Sequence, residues 1–184
     1  MRKISILCFV VTAIFFFART AKANIQIDQS NLPIWEGGWT AMSWDKSQTF
    51  QPGLPILTGV DIDIYNANQH LGDDTITVEI LKFDVVLATA SQLVTAGFDG
   101  LLHFDFPTEV YVNIGETYLL SVPGTKDTFG WKYAGDTYPN GIMFLGGVSK
   151  PDQDWLFQTY GIPEPATLFL LGLGSLALLR KRKI

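Results

Sequence analysis

A period-two alternation of apolar and polar residues recurs along the middle of this chain, and it constrains the fold more than any other feature. Val60, Ile62 and Ile64 alternate with Asp61, Asp63 and Tyr65, and Ile76, Val78 and Ile80 with Thr75, Thr77 and Glu79. The same pattern runs through Leu102, Phe104 and Phe106, through Val110, Val112 and Ile114, through Tyr118, Leu120 and Val122, and through Phe129, Trp131 and Tyr133. Alternation of this kind sends one set of side chains to a core and the other to solvent, which is the signature of a half-buried strand. Turn formers separate the runs at Pro52-Gly53, Gly72-Asp73-Asp74, Gly97 to Gly100, Gly115-Glu116, Pro123-Gly124 and Pro139-Asn140-Gly141. No stretch of the body sustains a helical period. Many short strands with frequent turns predict an all-β protein built as an antiparallel sandwich.

Both ends of the chain depart from that pattern. Arg2 and Lys3 precede an apolar run from Ile4 to Phe17, followed by Ala21-Lys22-Ala23. A basic start, a short apolar middle and a small-residue pair two apart match a secretory signal peptide, cut between Ala23 and Asn24. At the other end, Ala166–Leu179 is an uncharged apolar segment followed by Arg180, Lys181, Arg182 and Lys183. As a helix it would rise about 21 Å, a marginal bilayer span. The basic cluster acts as a stop-transfer signal, held on the cytoplasmic side. Pro163 and Pro165 mark the start of that helix and keep the chain before it extended. The expected layout is a signal segment over 1–23, a sandwich over 24–161 and a sorting segment over 162–184, with a membrane helix at 166–179 and a basic tail at 180–184.

Taken without its ends, the body is acidic. Eight of the 13 basic residues lie in the two terminal segments, leaving five lysines and no arginine in the body. Only Glu164 among the 18 acidic residues lies outside it, so residues 24–162 carry a net charge of −12. Such a surface repels phosphate backbones and argues against nucleic-acid binding. The single cysteine, Cys8, falls in the signal segment, so the body has no disulfide to rely on.

The run Pro163-Glu164-Pro165, the apolar segment and the terminal basic cluster together resemble the PEP-CTERM sorting signal. That resemblance implies export by the Sec machinery, removal of the signal by signal peptidase, and processing of the tail by an exosortase, a membrane-embedded transpeptidase-like enzyme. It implies a Gram-negative bacterium that makes extracellular polysaccharide, and a final location in the cell envelope, at the cell surface or in the matrix. A second resemblance lies in the body. "SQTFQPG" at Ser47–Gly53, "GETYLLSV" at Gly115–Val122, "FGWKYAGDTYPNG" at Phe129–Gly141 and "DWLFQTYG" at Asp154–Gly161 are similar to a secreted jelly-roll domain of carbohydrate-binding-module plan. Members of that group commonly carry arginine where Gln158 stands here. The likeness implies a structural calcium between the first and last strands, for which Asp28 and Asp154 are the candidates.

The sequence offers no catalytic constellation. His70 lies in the polar loop "NANQHLGDD", and His103 alternates outward on a strand. Neither has a neighbouring nucleophile with an orienting partner. Asp61 and Asp63 share one strand face about 6.6–6.8 Å apart, a spacing that keeps a glycoside hydrolase as the alternative. The aromatic residues point instead to binding, because flat rings stack on the apolar faces of sugars. Trp35 and Trp39 in "IWEGGWT", together with Tyr138 in its Pro-Asn-Gly turn, are the best candidates for an exposed platform, and packing of Trp35 and Trp39 over one end of the sandwich is the competing reading. Trp131 and Trp155 alternate with core positions and are expected inside. The reading is a non-enzymatic, exported surface or matrix protein, structural or adhesive and associated with polysaccharide. A protein-interaction module is the other alternative.

Overall fold

The computed structural model describes residues 24–33 and 37–164. The sandwich occupies Ile25–Ile162 as one compact unit. Its strands are β1 (Gln26–Asn31), β2 (Gly38–Ala41), β3 (Lys46–Phe50), β4 (Ile56–Asn66), β5 (Asp74–Lys82), β6 (Val85–Val94), β7 (Gly100–Tyr111), β8 (Tyr118–Val122), β9 (Phe129–Gly135), β10 (Met143–Leu145), β11 (Val148–Lys150), β12 (Gln153–Trp155) and β13 (Phe157–Ile162). One 3-10 turn, Gln69–Leu71, carries His70. The expected signal and membrane helices lie outside the described residues.

Two antiparallel sheets face each other. The first runs β1-β13-β4-β9-β12, with β2 also paired to β9 and β7 to β4, and the second runs β11-β10-β3-β8-β5-β6. The core lies between them, and the alternation in the sequence decides who enters it. Val60, Ile62 and Ile64 of β4, Ile76, Val78 and Ile80 of β5, and Leu120 and Val122 of β8 are fully buried. Trp131 and Trp155 stack inside with centroids 5.0 Å apart. Burial of this kind stabilises by about 25 cal/mol per Å² of apolar surface removed from water, so the sandwich needs no disulfide.

Leu156 marks a fork in the first sheet. Its N–H donates to Lys132 O (2.9 Å), and its O accepts from Asp63 N (3.1 Å) and from Trp131 Nε1 (2.8 Å). The segment before it pairs with β9 and the segment after it with β4.

Three local features differ from the sequence reading. The runs 102–106 and 110–114 are not two strands. β7 continues through Pro107 to Tyr111, with an irregularity against β4 opposite Leu57 and Gly59. Among the described residues no strand pairs with its outer edge, so the missing N–H of Pro107 costs no ladder bond. β6 was not legible, because "VVLATASQLV" shows no apolar–polar alternation. Finally, Ile162 belongs to the sandwich together with Gly161, at which the sequence reading ended it. They close β13 opposite Leu57 and Ile56, and Pro163, without an N–H, ends the ladder.

Candidate functional site

The outward face of the seven-stranded sheet gathers the polar and aromatic residues that the alternation keeps out of the core. β4 supplies Asp61, Asp63 and Tyr65. Antiparallel register sets Gln158 of β13 and His103 of β7 on either side of Asp61, and Gly130 of β9 beside Tyr65. On the far side of β9, Trp39 of β2 lies opposite Lys132. From Tyr65 to Asp61 the strand covers roughly 13 Å.

At one end of this face Trp39 and Tyr65 stack, with centroids 5.0 Å apart and planes 17° from parallel. They belong to strands that are not neighbours, and Gly130 on the strand between them makes the contact possible. A Cβ at Gly130 would sit 2.6 Å from Trp39 Cε3 and 3.0 Å from Thr40 O, so any larger residue displaces the indole. Trp39 remains 39% exposed. The pair forms a rigid aromatic surface whose geometry is worth about 0.5–1.5 kcal/mol beyond area burial.

Beside it, Lys132 Nζ donates to Asp63 Oδ1 and to Asp99 Oδ1, each at 2.8 Å. Desolvation pulls this ammonium down, but the bonds to the two carboxylates outweigh it and its pKa is raised. At the other end, His103 is held between two acids. Its Nδ1 lies 2.5 Å from Asp61 Oδ1 and its Nε2 3.1 Å from Asp105 Oδ1. Tyr160 OH donates to Asp61 Oδ2 (2.6 Å), and its ring meets the imidazole edge-on. Desolvation lowers the His103 pKa, while the hydrogen bonds and charges of Asp61 and Asp105 raise it more, leaving it above its ordinary value. Desolvation, and then the bond to Asp61, push the Tyr160 phenol up to about 12. Gln158, opposite Asp61 in the register, leaves Asp61 to His103 and Tyr160.

Asp61 and Asp63 are thus each bonded to a basic side chain. No described group on this face pairs a nucleophile with a poised base. The arrangement is a flat aromatic surface flanked by fixed donors and acceptors, suited to holding a ligand that has both apolar faces and hydroxyls.

The expected site residues fall in different places. Trp39 lies on this face. Trp35 lies outside the described residues, as do Ala21, Ala23, Pro165, Arg180, Lys181, Arg182 and Lys183. Tyr138 is not an exposed platform, and this corrects the reading of its turn. It is 5% exposed, its ring packs edge-on against Phe157 at 5.2 Å, and its OH donates to Gln29 Oε1 (3.0 Å) and accepts from Gln51 N. The turn is drawn inward because Asp154 Oδ2 accepts both Thr137 N (2.9 Å) and Tyr138 N (2.8 Å).

Asp28 and Asp154 are each occupied by protein donors. Asp154, 1% exposed, also accepts from Gln48 Nε2 at 2.8 Å. Asp28 accepts from Gly53 N (2.8 Å) and Thr159 Oγ1 (3.3 Å). Among the described residues no group of three or more His, Cys, Asp or Glu side chains is placed to hold a metal ion. Tyr65, Lys132, Asp99 and Tyr160 were missed in the sequence. Tyr65, Lys132 and Tyr160 lie on outward strand faces and Asp99 in the loop before β7, and their convergence depends on register.

The tail is decided by comparison. Residues 161–183 match the PEP-CTERM protein-sorting motif. The chain carries an exosortase sorting signal. The motif marks an exported protein that an exosortase sorts to the cell surface. Pro163 and Glu164 of the tripeptide are among the described residues and directly follow β13, so the motif begins where the sandwich ends. No curated protein matches the chain.

Proposed function

We propose that this is a non-catalytic surface protein whose sandwich, displayed through its sorting signal, binds extracellular polysaccharide on the outward face of the seven-stranded sheet. In this reading the N-terminal segment is a signal peptide removed after Ala23, and the tail passes transiently through the membrane before processing. The observation that carries the proposal is the Trp39–Tyr65 stack, in which an exposed Trp39 lies over Gly130 and against a half-buried Tyr65. Beside it, Lys132, Asp63 and Asp99 offer fixed polar groups to sugar hydroxyls. Catalysis is disfavoured because Asp61 and Asp63 are each bonded to a basic side chain, His103 and Lys132, and lie along one strand face, whereas a glycosidase needs two carboxyls facing each other across the sugar.

A broad glycan array probed with residues 25–162 tests the proposal. The wild-type body is expected to bind, and Trp39→Ala is expected to abolish binding while the fold persists. An array with no bound glycan refutes it. So does binding that is equally strong in Trp39→Ala and Tyr65→Ala.

A further inference from the structure

We propose that the outer edge of β6 is a self-association surface, on which a second copy of this chain pairs antiparallel and joins the two six-stranded sheets into one. β6 ends its sheet, and its only ladder partner among the described residues is β5. An open edge presents a row of unpaired backbone donors and acceptors, and proteins ordinarily blunt it with charge, proline or a short strand. From Val85 to Val94 this strand has ten residues with no charge and no proline. A bulge between Ile80 and Leu81 in its pairing with β5 is the one such device present.

The side chains along the edge point to the same partner. Phe83, Val85 and Val86 are exposed at the start of the strand, and Leu93 and Phe98 at its end, with Thr89, Ala90, Ser91 and Gln92 between them. The apolar groups therefore sit at both ends of a polar middle. An antiparallel copy related by a two-fold axis through Ala90, so that residues on the same face lie opposite one another, brings each apolar end onto the other. In that register the Val86–Leu87 bulge lies opposite Leu93 of the second copy, and Phe83 reaches toward its Phe98. This is the self-complementarity that an isologous interface requires. Charge also selects the approach. A body with a net charge of −12 repels another copy over most of its surface, and β6 is an uncharged strip through which two copies can meet.

Phe83 adds an independent indication. Phe83 and Asp84 form the two-residue hairpin between β5 and β6, with φ of 50° and 63°. Such turns favour Asn-Gly, because a side chain with a Cβ is disfavoured at positive φ. Here that position holds a phenylalanine that is 88% exposed. Within one copy it loses turn stability and gains little burial. Against a second copy it is covered.

Sedimentation velocity of residues 25–162 across the micromolar range tests the proposal, because this unit contains both sheets and the whole core. The wild type is expected to shift from monomer to dimer as concentration rises, with amide exchange in β6 slowing in the dimer. Phe83→Asn and Val86→Lys are each expected to weaken the dimer at least tenfold. Phe83→Asn is expected to raise the melting temperature of the monomer, since asparagine suits the turn, so misfolding cannot account for the loss. A wild type that stays monomeric up to its solubility limit overturns the proposal. Dimers undiminished in both variants place the interface elsewhere and overturn it too. A monomer that binds phosphatidylglycerol vesicles only when Phe83 is present assigns the patch to a membrane surface, and likewise overturns it.

Discussion

Replacing Asp154 with asparagine separates two roles for the most buried acid of the sandwich. Asp154 Oδ2 accepts two backbone N–H groups and Oδ1 accepts Gln48 Nε2, while Gln48 Oε1 in turn accepts Trp155 N at 3.0 Å. An asparagine can keep its oxygen on the two backbone donors, but its amide nitrogen then faces the Gln48 amide nitrogen. Turning Gln48 over only transfers the clash to Trp155 N, so one buried donor is left unpaired in either arrangement. That donor costs about 1–3 kcal/mol, and the two retained bonds lose their charge assistance, for a total of roughly 2–4 kcal/mol. For a domain of this size the loss lowers the melting temperature by about 10 °C. Calorimetry of the wild type and Asp154→Asn, each in chelator and in millimolar calcium, is the assay. Hydrogen bonding predicts the same large drop in both conditions. An ion held by Asp154 predicts a wild type that calcium stabilises and a variant that calcium leaves unchanged. A variant that melts with the wild type in chelator refutes the reasoning.

Two further outcomes follow from the outward face. Because the folded pKa of His103 lies above its ordinary 6.5, the stability it draws from Asp61 and Asp105 is fully present below about pH 6.5 and is lost as pH rises through the raised value. A wild-type-minus-His103→Gln stability difference that grows with pH contradicts this, and an NMR titration of the imidazole locates the midpoint. Gly130→Ala is expected to lower stability by about 1–2 kcal/mol through overpacking and to weaken glycan binding by displacing Trp39. Unchanged tryptophan fluorescence and unchanged binding in that variant count against the stacking geometry.

The fold was legible wherever one side of a strand faces the core and the other faces water. β4, β5, β8 and β9 announce themselves through Ile62, Ile76, Leu120 and Trp131, and the two buried tryptophans follow from the same period. β6 hid because an edge strand at a sandwich corner buries only Ala88 and Val94 and leaves Val85, Val86 and Leu93 outside, which erases the alternation. Tyr138 misled because a Pro-Asn-Gly turn reads as exposed. Its burial depends on a carboxylate sixteen residues later in the chain. The outward cluster was half visible. Asp61, Asp63 and Tyr65 on one face and His103 on another can be read from alternation, but the pairing of His103 with Asp61 and of Trp39 with Tyr65 is set by long-range register. The tail was the clearest, because a sorting signal is read as a linear string and needs no fold.

Sorting at the cell surface is the central claim, and the C-terminus of the mature protein tests it most directly. Intact-mass spectrometry of the protein recovered from the surface of the producing cell is expected to place that terminus at or near Pro163–Pro165, with the apolar segment and Arg180–Lys183 removed. Surface protein that still ends at Ile184 contradicts the account.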